Sequence, residues 1–181
     1  DVDLPAGSSL SFSTTSTVAG LTLSPNGSYT FDASSYDSLK AGETQVITIP
    51  VTVADDQGAT ANTTLTITIT GTNDVPVATA ATSAVTEDQT ITGTINASDV
   101  DLPAGSSLVF TTTSSVAGLT LSSNGSYAFD ASSYDSLKAG ETQVITVPVM
   151  VTDDQGATAN TTLTITITGT SDAAIISGTA I

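Results

Sequence analysis

The sequence predicts an all-β protein built from tandem Ig-like antiparallel β-sandwich domains. Three observations carry this. First, Thr, Ser, Val, Ile, Ala and Gly dominate the composition, and long helix-forming residues are few. Second, apolar residues recur at period two, the period of a half-buried strand. Third, Asp1-Val-Asp-Leu-Pro-Ala-Gly returns as Asp99-Val-Asp-Leu-Pro-Ala-Gly, and this offset of 98 holds without a gap through Asp74 and Asp172, with 65 of 74 positions identical. A period near that length with strand-like content fits stacked sandwich domains, not a short-repeat solenoid.

The phase of the repeat divides the chain. Residues 75–172 make one complete module. Residues 1–74 read as a module lacking its first two strands, which is expected to leave unpaired edges. Residues 173–181 read as the start of a following repeat or as a tail. The linker between the modules, Gly71 to Asp101, holds Asn73, Asp74, Glu87, Asp88, Asp99 and Asp101.

Each element of the complete module has a local reason. Val75 to Val85 is a split first strand that opens with Pro76. Thr90 to Ala97 alternates Ile91, Gly93 and Ile95 against polar residues, a second strand. Asp99 to Ser107 is a loop, and Leu108 to Thr113 a third strand. Leu119–Ser122 and Ser126–Asp130 form a hairpin across Asn124-Gly125, whose residues tolerate positive φ. Ala131 to Gly140 breaks the alternation and reads as a short helical turn, with Asp130 as its cap and Tyr134 and Leu137 turned inward. Thr142 to Thr152 is a long strand with Ile145, Val147, Val149 and Val151 on one face. Pro148 cannot donate to a ladder, so it marks an edge or a bulge. Asp153-Asp-Gln-Gly turns the chain into the last strand, where Leu163, Ile165 and Ile167 face inward between outward threonines.

The charge balance restricts function. Two lysines, no histidine and 18 acidic residues give a net charge of −16. Nucleic acid and anionic membranes need basic patches, so neither is an expected partner. No cysteine or histidine is present, which excludes soft metal sites and most nucleophilic triads; an enzyme is not expected. No apolar run is long enough to span a membrane.

The acids concentrate at module ends. Alternating strand direction puts Asp1, Asp3, Asp55, Asp56, Asp99, Asp101, Asp153 and Asp154 at the end where the chain enters a module. Glu43, Asp74, Glu87, Asp88, Glu141 and Asp172 fall at the exit ends or in linkers. At the one complete joint, Glu43 and Asp74 are expected to meet Asp99, Asp101 and Asp153, with Asn73 adding a neutral oxygen. Such a set suits Ca²⁺, which takes six to eight oxygens at ~2.3–2.6 Å. Mg²⁺ demands a tighter octahedron. Asp is also common in turns for local reasons, so the signal lies in convergence from separate segments with almost no basic partner.

Gly27-Ser-Tyr-Thr-Phe, Leu39-Lys-Ala-Gly-Glu, Val53-Ala-Asp-Asp-Gln-Gly-Ala-Thr-Ala and Leu65-Thr-Ile-Thr-Ile-Thr-Gly-Thr-Asn-Asp-Val-Pro-Val resemble the VCBS repeat. That domain occurs in tandem in large bacterial adhesins exported by type I secretion, many of them repeats-in-toxin proteins. A more distant similarity is to cadherin-like domains. There, an Asp-x-Asp pair, an Asp opening the last hairpin and an Asn-Asp linker bind calcium between domains. The matching positions are Asp99 and Asp101, Asp153, and Asn73 and Asp74. Glu43 and Glu87 stand where cadherins place further acidic residues. Ser171 and Ala174 depart from the linker pattern at the second copy. The resemblance implies a secreted, cell-surface stalk stiffened by calcium, whose partners are neighbouring repeats and Ca²⁺.

Two other readings come from the residues. A carbohydrate- or surface-binding sandwich would use exposed aromatics, and the chain has no Trp and only four Phe and four Tyr. The Thr64–Thr70 and Thr162–Thr168 ladders resemble water-ordering surfaces, but outward Thr is ordinary in strands.

Overall fold

A computed structural model describes residues 8–103 and 105–173, and the chain falls into two compact units, Asp1–Asn73 and Asp74–Ile181. Asp1, Asp3 and the tail beyond residue 173 lie outside the described residues. Among the described residues, the regular elements are strands and two short 3-10 turns.

The first unit holds β1 (Ser11–Ser13), β2 (Leu21–Leu23), β3 (Tyr29–Phe31), β4 (Thr44–Ala54) and β5 (Thr60–Thr70). One sheet runs β1-β4-β5, and β2 pairs with β3. The second unit holds β6 (Val77–Ala78), β7 (Ala81–Thr86), β8 (Thr90–Thr94), β9 (Ala97–Ser98), β10 (Val109–Thr111), β11 (Leu119–Leu121), β12 (Ser126–Asp130), β13 (Thr142–Thr152) and β14 (Thr158–Thr168). Its sheets run β10-β13-β14-β7 and β11-β12-β8, with the small β6-β9 pair at one end. The expected split of the first strand is present as β6 and β7, and the two-layer all-β sandwich follows.

One pairing departs from a purely antiparallel, up-and-down order. β7 runs parallel to β14, from Ala81 opposite Leu163 to Thr86 opposite Thr168. β7 and β8 are consecutive, yet they belong to different sheets, so the chain crosses the core at Glu87-Asp88. Period-two patterning reports which face is buried and is blind to which neighbour lies alongside.

The β13–β14 ladder is the spine of the second unit. It pairs Val147 with Leu163 and Ile145 with Ile165. Leu163, Ile165, Ile167, Val147, Val151 and Phe129 are fully buried between the sheets. Tyr134 and Leu137 pack on this core from the side, and the Tyr134 ring lies 5.6 Å from that of Phe129. The turn that carries them, Ala131–Tyr134, is capped as expected by the Asp130 carboxylate, which accepts from the Ser132 N–H at 3.0 Å.

Two turn positions show why the residue type matters. Gly118 has φ +78, and a Cβ there would sit 1.9 Å from the Asp130 carbonyl oxygen, so only glycine fits. In the β11–β12 hairpin, Gly125 alone takes the positive φ, at +85. Asn124 instead accepts from the Ser126 N–H at 3.0 Å with its side chain. Pro148 interrupts nothing: the register runs unbroken through Pro148 opposite Thr162. β10 pairs only as far as Met150, and the Pro148 carbonyl accepts from the Thr112 hydroxyl at 2.7 Å. The missing N–H therefore falls on the side where β10 has ended. β13 is an inner strand, but Pro148 lies past the end of β10, where that flank is unpaired, and no bulge is needed.

The two units are near-identical in sequence but unequal in burial. β5 and β14 share the sequence TANTTLTITIT, yet Leu65 and Ile67 are half-buried where Leu163 and Ile165 are fully buried. Ile165→Ala is therefore expected to cost about 2–5 kcal/mol, the range for truncation in a closed core. Chemical denaturation of this variant against the unaltered chain checks it.

Candidate functional site

The core holds the strand ends of the second unit in place, and the acids sit on those ends. At the near end, the β13–β14 turn presents Asp153. Its Oδ1 accepts from the N–H groups of Gln155 at 2.9 Å and Ala157 at 2.8 Å, and its own N–H donates to the Ala157 carbonyl at 3.0 Å. One carboxylate oxygen is thus spent on shaping the turn. Asp153 is only 6% exposed.

The loop after β9 brings Asp99 and Asp101 to the same end. Asp101 is 5% exposed, and its N–H donates to Asp99 Oδ1 at 3.2 Å. The Asp74 N–H donates to Asp101 Oδ2 at 3.4 Å. The other oxygen of Asp99, Oδ2, is buried and has no hydrogen-bond partner. Buried polar atoms are nearly always satisfied, so this atom is notable. Desolvation lifts the Asp99 carboxyl above the usual carboxylate range. The adjacent Asp101 carboxyl and the charges of Asp101 and Asp153 push the same way, against the Asp101 N–H. The three carboxylates thus feel one another.

A second group lies at the far end. Glu87 ends β7, its N–H donates to the Thr168 carbonyl at 3.0 Å, and it is 1% exposed. Its Oε1 accepts from the Thr170 N–H, while Oε2 is buried without a partner. The next residue, Asp88, has φ +65, the only positive φ outside glycine among the described residues. A hydrogen bond with the Asp135 carboxyl raises its pKa first, followed by burial and the charges of Asp135, Asp172 and Glu87. Glu141 is exposed, and its Oε2 accepts from the Lys138 N–H at 3.0 Å. Asp172 is exposed.

The first unit repeats the turn chemistry where it is described. Asp55 Oδ1 accepts from Gln57 at 2.9 Å and Ala59 at 2.8 Å, matching Asp153. Glu43 Oε2 accepts from the Lys40 N–H at 3.2 Å, matching Glu141. Asn73 belongs to the first unit and Asp74 to the second. So Asp74, expected to act from the first module's side, sits against Asp101 within the second.

The donor set fits a hard divalent cation in kind: carboxylate and backbone oxygens, with no imidazole or thiolate in the chain. Its geometry is open. Among the described residues, no three carboxylates gather closely enough to form a complete cation-binding group. Each end of the second unit supplies an oxygen corner with one unsatisfied buried atom. Sequence reasoning found the near-end residues from the Asp-x-Asp spacing. It did not find the Asp88–Asp135 pairing, because nothing in the local pattern of ASSYDSLKAG says that its turn packs beside the β7–β8 crossing.

Residues 73–169 match the family model of the bacterial cadherin-like domain. Among solved structures, the chain is similar to extracellular cadherin domains 1–4 of protocadherin gamma B7, with 14% identity over 88% of this chain and 41% of that one, at a TM-score of 0.51. It is also similar to the protocadherin gamma B4 extracellular domain, with 16% identity over 88% of this chain and 27% of that one, again at 0.51. At these identities the likeness is one of fold, and the chain spans well under half of either protocadherin. No curated protein matches it by sequence. Among the described residues, no helix is long and apolar enough to cross a membrane.

The raised Asp99 carboxyl has a definite consequence. Folded Asp99 keeps its proton to a higher pH than the unfolded chain does, so its contribution is fully present in acid and is lost as pH rises through the folded value. In chelator-treated buffer, Asp99→Asn is expected to raise the melting temperature at neutral pH and to flatten the decline between acid and neutral. Thermal unfolding of both proteins across that range checks it.

Proposed function

Because the chain belongs to the bacterial cadherin-like domain family, we propose that it is a pair of spacer modules from a VCBS-type, secreted bacterial surface adhesin. In this reading, calcium-binding carboxylates govern how stiffly one module follows the next. The observation that carries it is the buried, unpartnered Oδ2 of Asp99 beside Asp101 and Asp153. In a chain with two lysines and 18 acids, such an oxygen has few cationic partners to find inside the protein.

When bound, calcium supplies a fixed double positive charge that accepts six to eight oxygens. The rest is done by this chain's residues. Asp99, Asp101 and Asp153 present carboxylates from a corner whose backbone is already hydrogen-bonded. Asp74 holds the linker to that corner through its N–H. Asn73 and Glu43 are assigned as donors from the preceding module, and Asp1, Asp3 and Asp55 as the equivalents of Asp99, Asp101 and Asp153 in the first module. Glu87, Glu141 and Asp172 are assigned to the following joint. Glu87 has a second task there, since it holds the Thr170 N–H and thereby sets the direction in which the linker leaves β14. Apo repulsion among the near-end acids leaves a joint loose; neutralising them permits a fixed angle. The role is mechanical, with no catalytic step, and adhesion to a target falls to other domains.

Binding to the folded state alone stabilises by about 2.7 kcal/mol per site when calcium is at a hundredfold its dissociation constant. Millimolar calcium is therefore expected to raise the melting temperature of the wild-type chain. Asp99→Ala with Asp101→Ala is expected to lose most of that rise, whereas Asp37→Ala, in the exposed turn after β3, keeps it. Calorimetric titration alongside thermal melts checks both. Equal calcium responses in all three proteins would dismiss the assignment.

A further inference from the structure

β13 is flanked on both sides for only part of its length. β14 accompanies it throughout, from Thr142 opposite Thr168 to Thr152 opposite Thr158. On the other flank β10 pairs only from Val109 opposite Thr152 to Thr111 opposite Met150. The Pro148 carbonyl on that flank is taken by the Thr112 hydroxyl. From Thr142 to Val147 no strand lies there among the described residues. The bonds that bracket the β13–β14 ladder show which backbone groups are left open. The Asp153 N–H donates to the Ala157 carbonyl, and the Gly169 N–H to the Glu141 carbonyl. Antiparallel pairing alternates, so the odd residues of β13 bond to β14. The N–H and C=O groups of Thr142, Val144 and Thr146 therefore point to the open flank, and no turn or loop backbone among the described residues bonds to them.

The side chains along this edge are equally bare. Thr142, Val144 and Thr146 are exposed, and Val144 is 61% exposed. No charge occurs from Thr142 to Thr152, in a chain of net charge −16. Sheet edges are ordinarily protected by a lysine, an inward charge or a proline. Here Pro148 protects only the end beside β10. The first unit repeats the arrangement. β4 carries the same Thr-Gln-Val-Ile-Thr run, β1 pairs only as far as Ser13 opposite Thr52, and the Thr14 hydroxyl donates to the Pro50 carbonyl at 2.7 Å. Val46, the equivalent of Val144, is 60% exposed.

We propose that this edge pairs with the same edge of a second copy of the chain, antiparallel, about a two-fold axis at Val144. Self-complementarity selects that partner. With Val144 opposite its own counterpart, Thr142 falls opposite Thr146, and these are the positions whose open N–H and C=O groups can be exchanged. The two exposed valines meet across the strands. The ladder also stops itself. Its next position sets Pro148, with no N–H and an occupied carbonyl, against Gly140. Glu141 falls opposite Val147, which leaves the two copies of Glu141 about 20 Å apart along the strands. That exceeds the screening length of ~8 Å at physiological salt. Two chains that repel overall thus meet where neither brings a charge. A foreign strand satisfies the backbone but supplies neither the matched valine nor the matched stop. A pairing this short buries well under the ~1,000 Å² of a stable interface, so it is weak and shows at high protein concentration. The proposal does not depend on the calcium reading.

The test uses the full 181-residue chain in chelator. Sedimentation from about 10 μM to about 1 mM is expected to show reversible dimerisation. Val46→Lys with Val144→Lys, both at exposed positions, is expected to stay monomeric with an unchanged melting temperature, even though it lowers the net negative charge and with it the general repulsion. The chain has no cysteine, so Val144→Cys introduces a single thiol. Across a hydrogen-bonded antiparallel pair the Cα atoms lie ~5.5 Å apart, within reach of a disulfide. Under mild oxidation this variant is expected to cross-link on the order of tenfold faster than Met150→Cys, which is exposed on the same strand but flanked by β10. Three outcomes overturn the proposal. The chain stays monomeric throughout, which leaves the edge to a strand of another protein; or the lysine variant dimerises like the unaltered chain, which places the contact elsewhere; or the two cysteine variants cross-link at the same rate.

Discussion

Asp99, Asp101 and Asp153 share one corner of a sandwich whose core leaves them no choice of position. The β13–β14 ladder, buried on its inner face from Val147 to Ile167, fixes the turn that carries Asp153. The β6–β9 pair and β8 fix the start of the loop that carries Asp99 and Asp101. Like charges held together in a half-dry site cost free energy unless a proton, a hydrogen bond or a cation offsets them. Backbone N–H groups offset part of it: Gln155 and Ala157 for Asp153, Asp101 for Asp99, and Asp74 for Asp101. Asp99 Oδ2 is what remains.

The far end applies the same logic differently. Glu87 is deeper than any near-end acid, and it spends one oxygen on the Thr170 N–H. That contact ties the β7–β8 crossing to the point where the chain leaves β14. Asp88 follows at a left-handed φ that a non-glycine residue adopts at some cost. The strained crossing, the buried glutamate and the departing linker form one connected piece. The residue that opens the crossing from one sheet to the other thus also holds the backbone just past the end of β14.

Much of this was legible in the residues, for specific reasons. The repeat made strand assignment a comparison between copies. Alternation at Leu163, Ile165 and Ile167 named the inward face, and Asp130 announced its cap. Asp-x-Asp and Asp153 were found at one end because strand direction alternates whatever the sheet order. The parallel β7–β14 pairing was not legible, since side-chain period carries no information about the identity of a neighbouring strand. The burial of Glu87 was not legible either: a glutamate after a strand reads as a solvated end until the crossing over the core is known. Asp74 was read as the last residue of the preceding module, and that reading could not foresee its N–H donating to the Asp101 carboxylate.

The central claim is that these carboxylates make the joint between modules responsive to calcium. Small-angle scattering on the 181-residue chain, with and without millimolar calcium, tests it most directly. The expected result is a longer maximum dimension and a narrower distribution of shapes with calcium, both abolished by Asp99→Ala with Asp101→Ala. Superimposable scattering curves with and without the ion would contradict it, and would leave the acids as a solvating surface on an otherwise flexible pair of sandwiches.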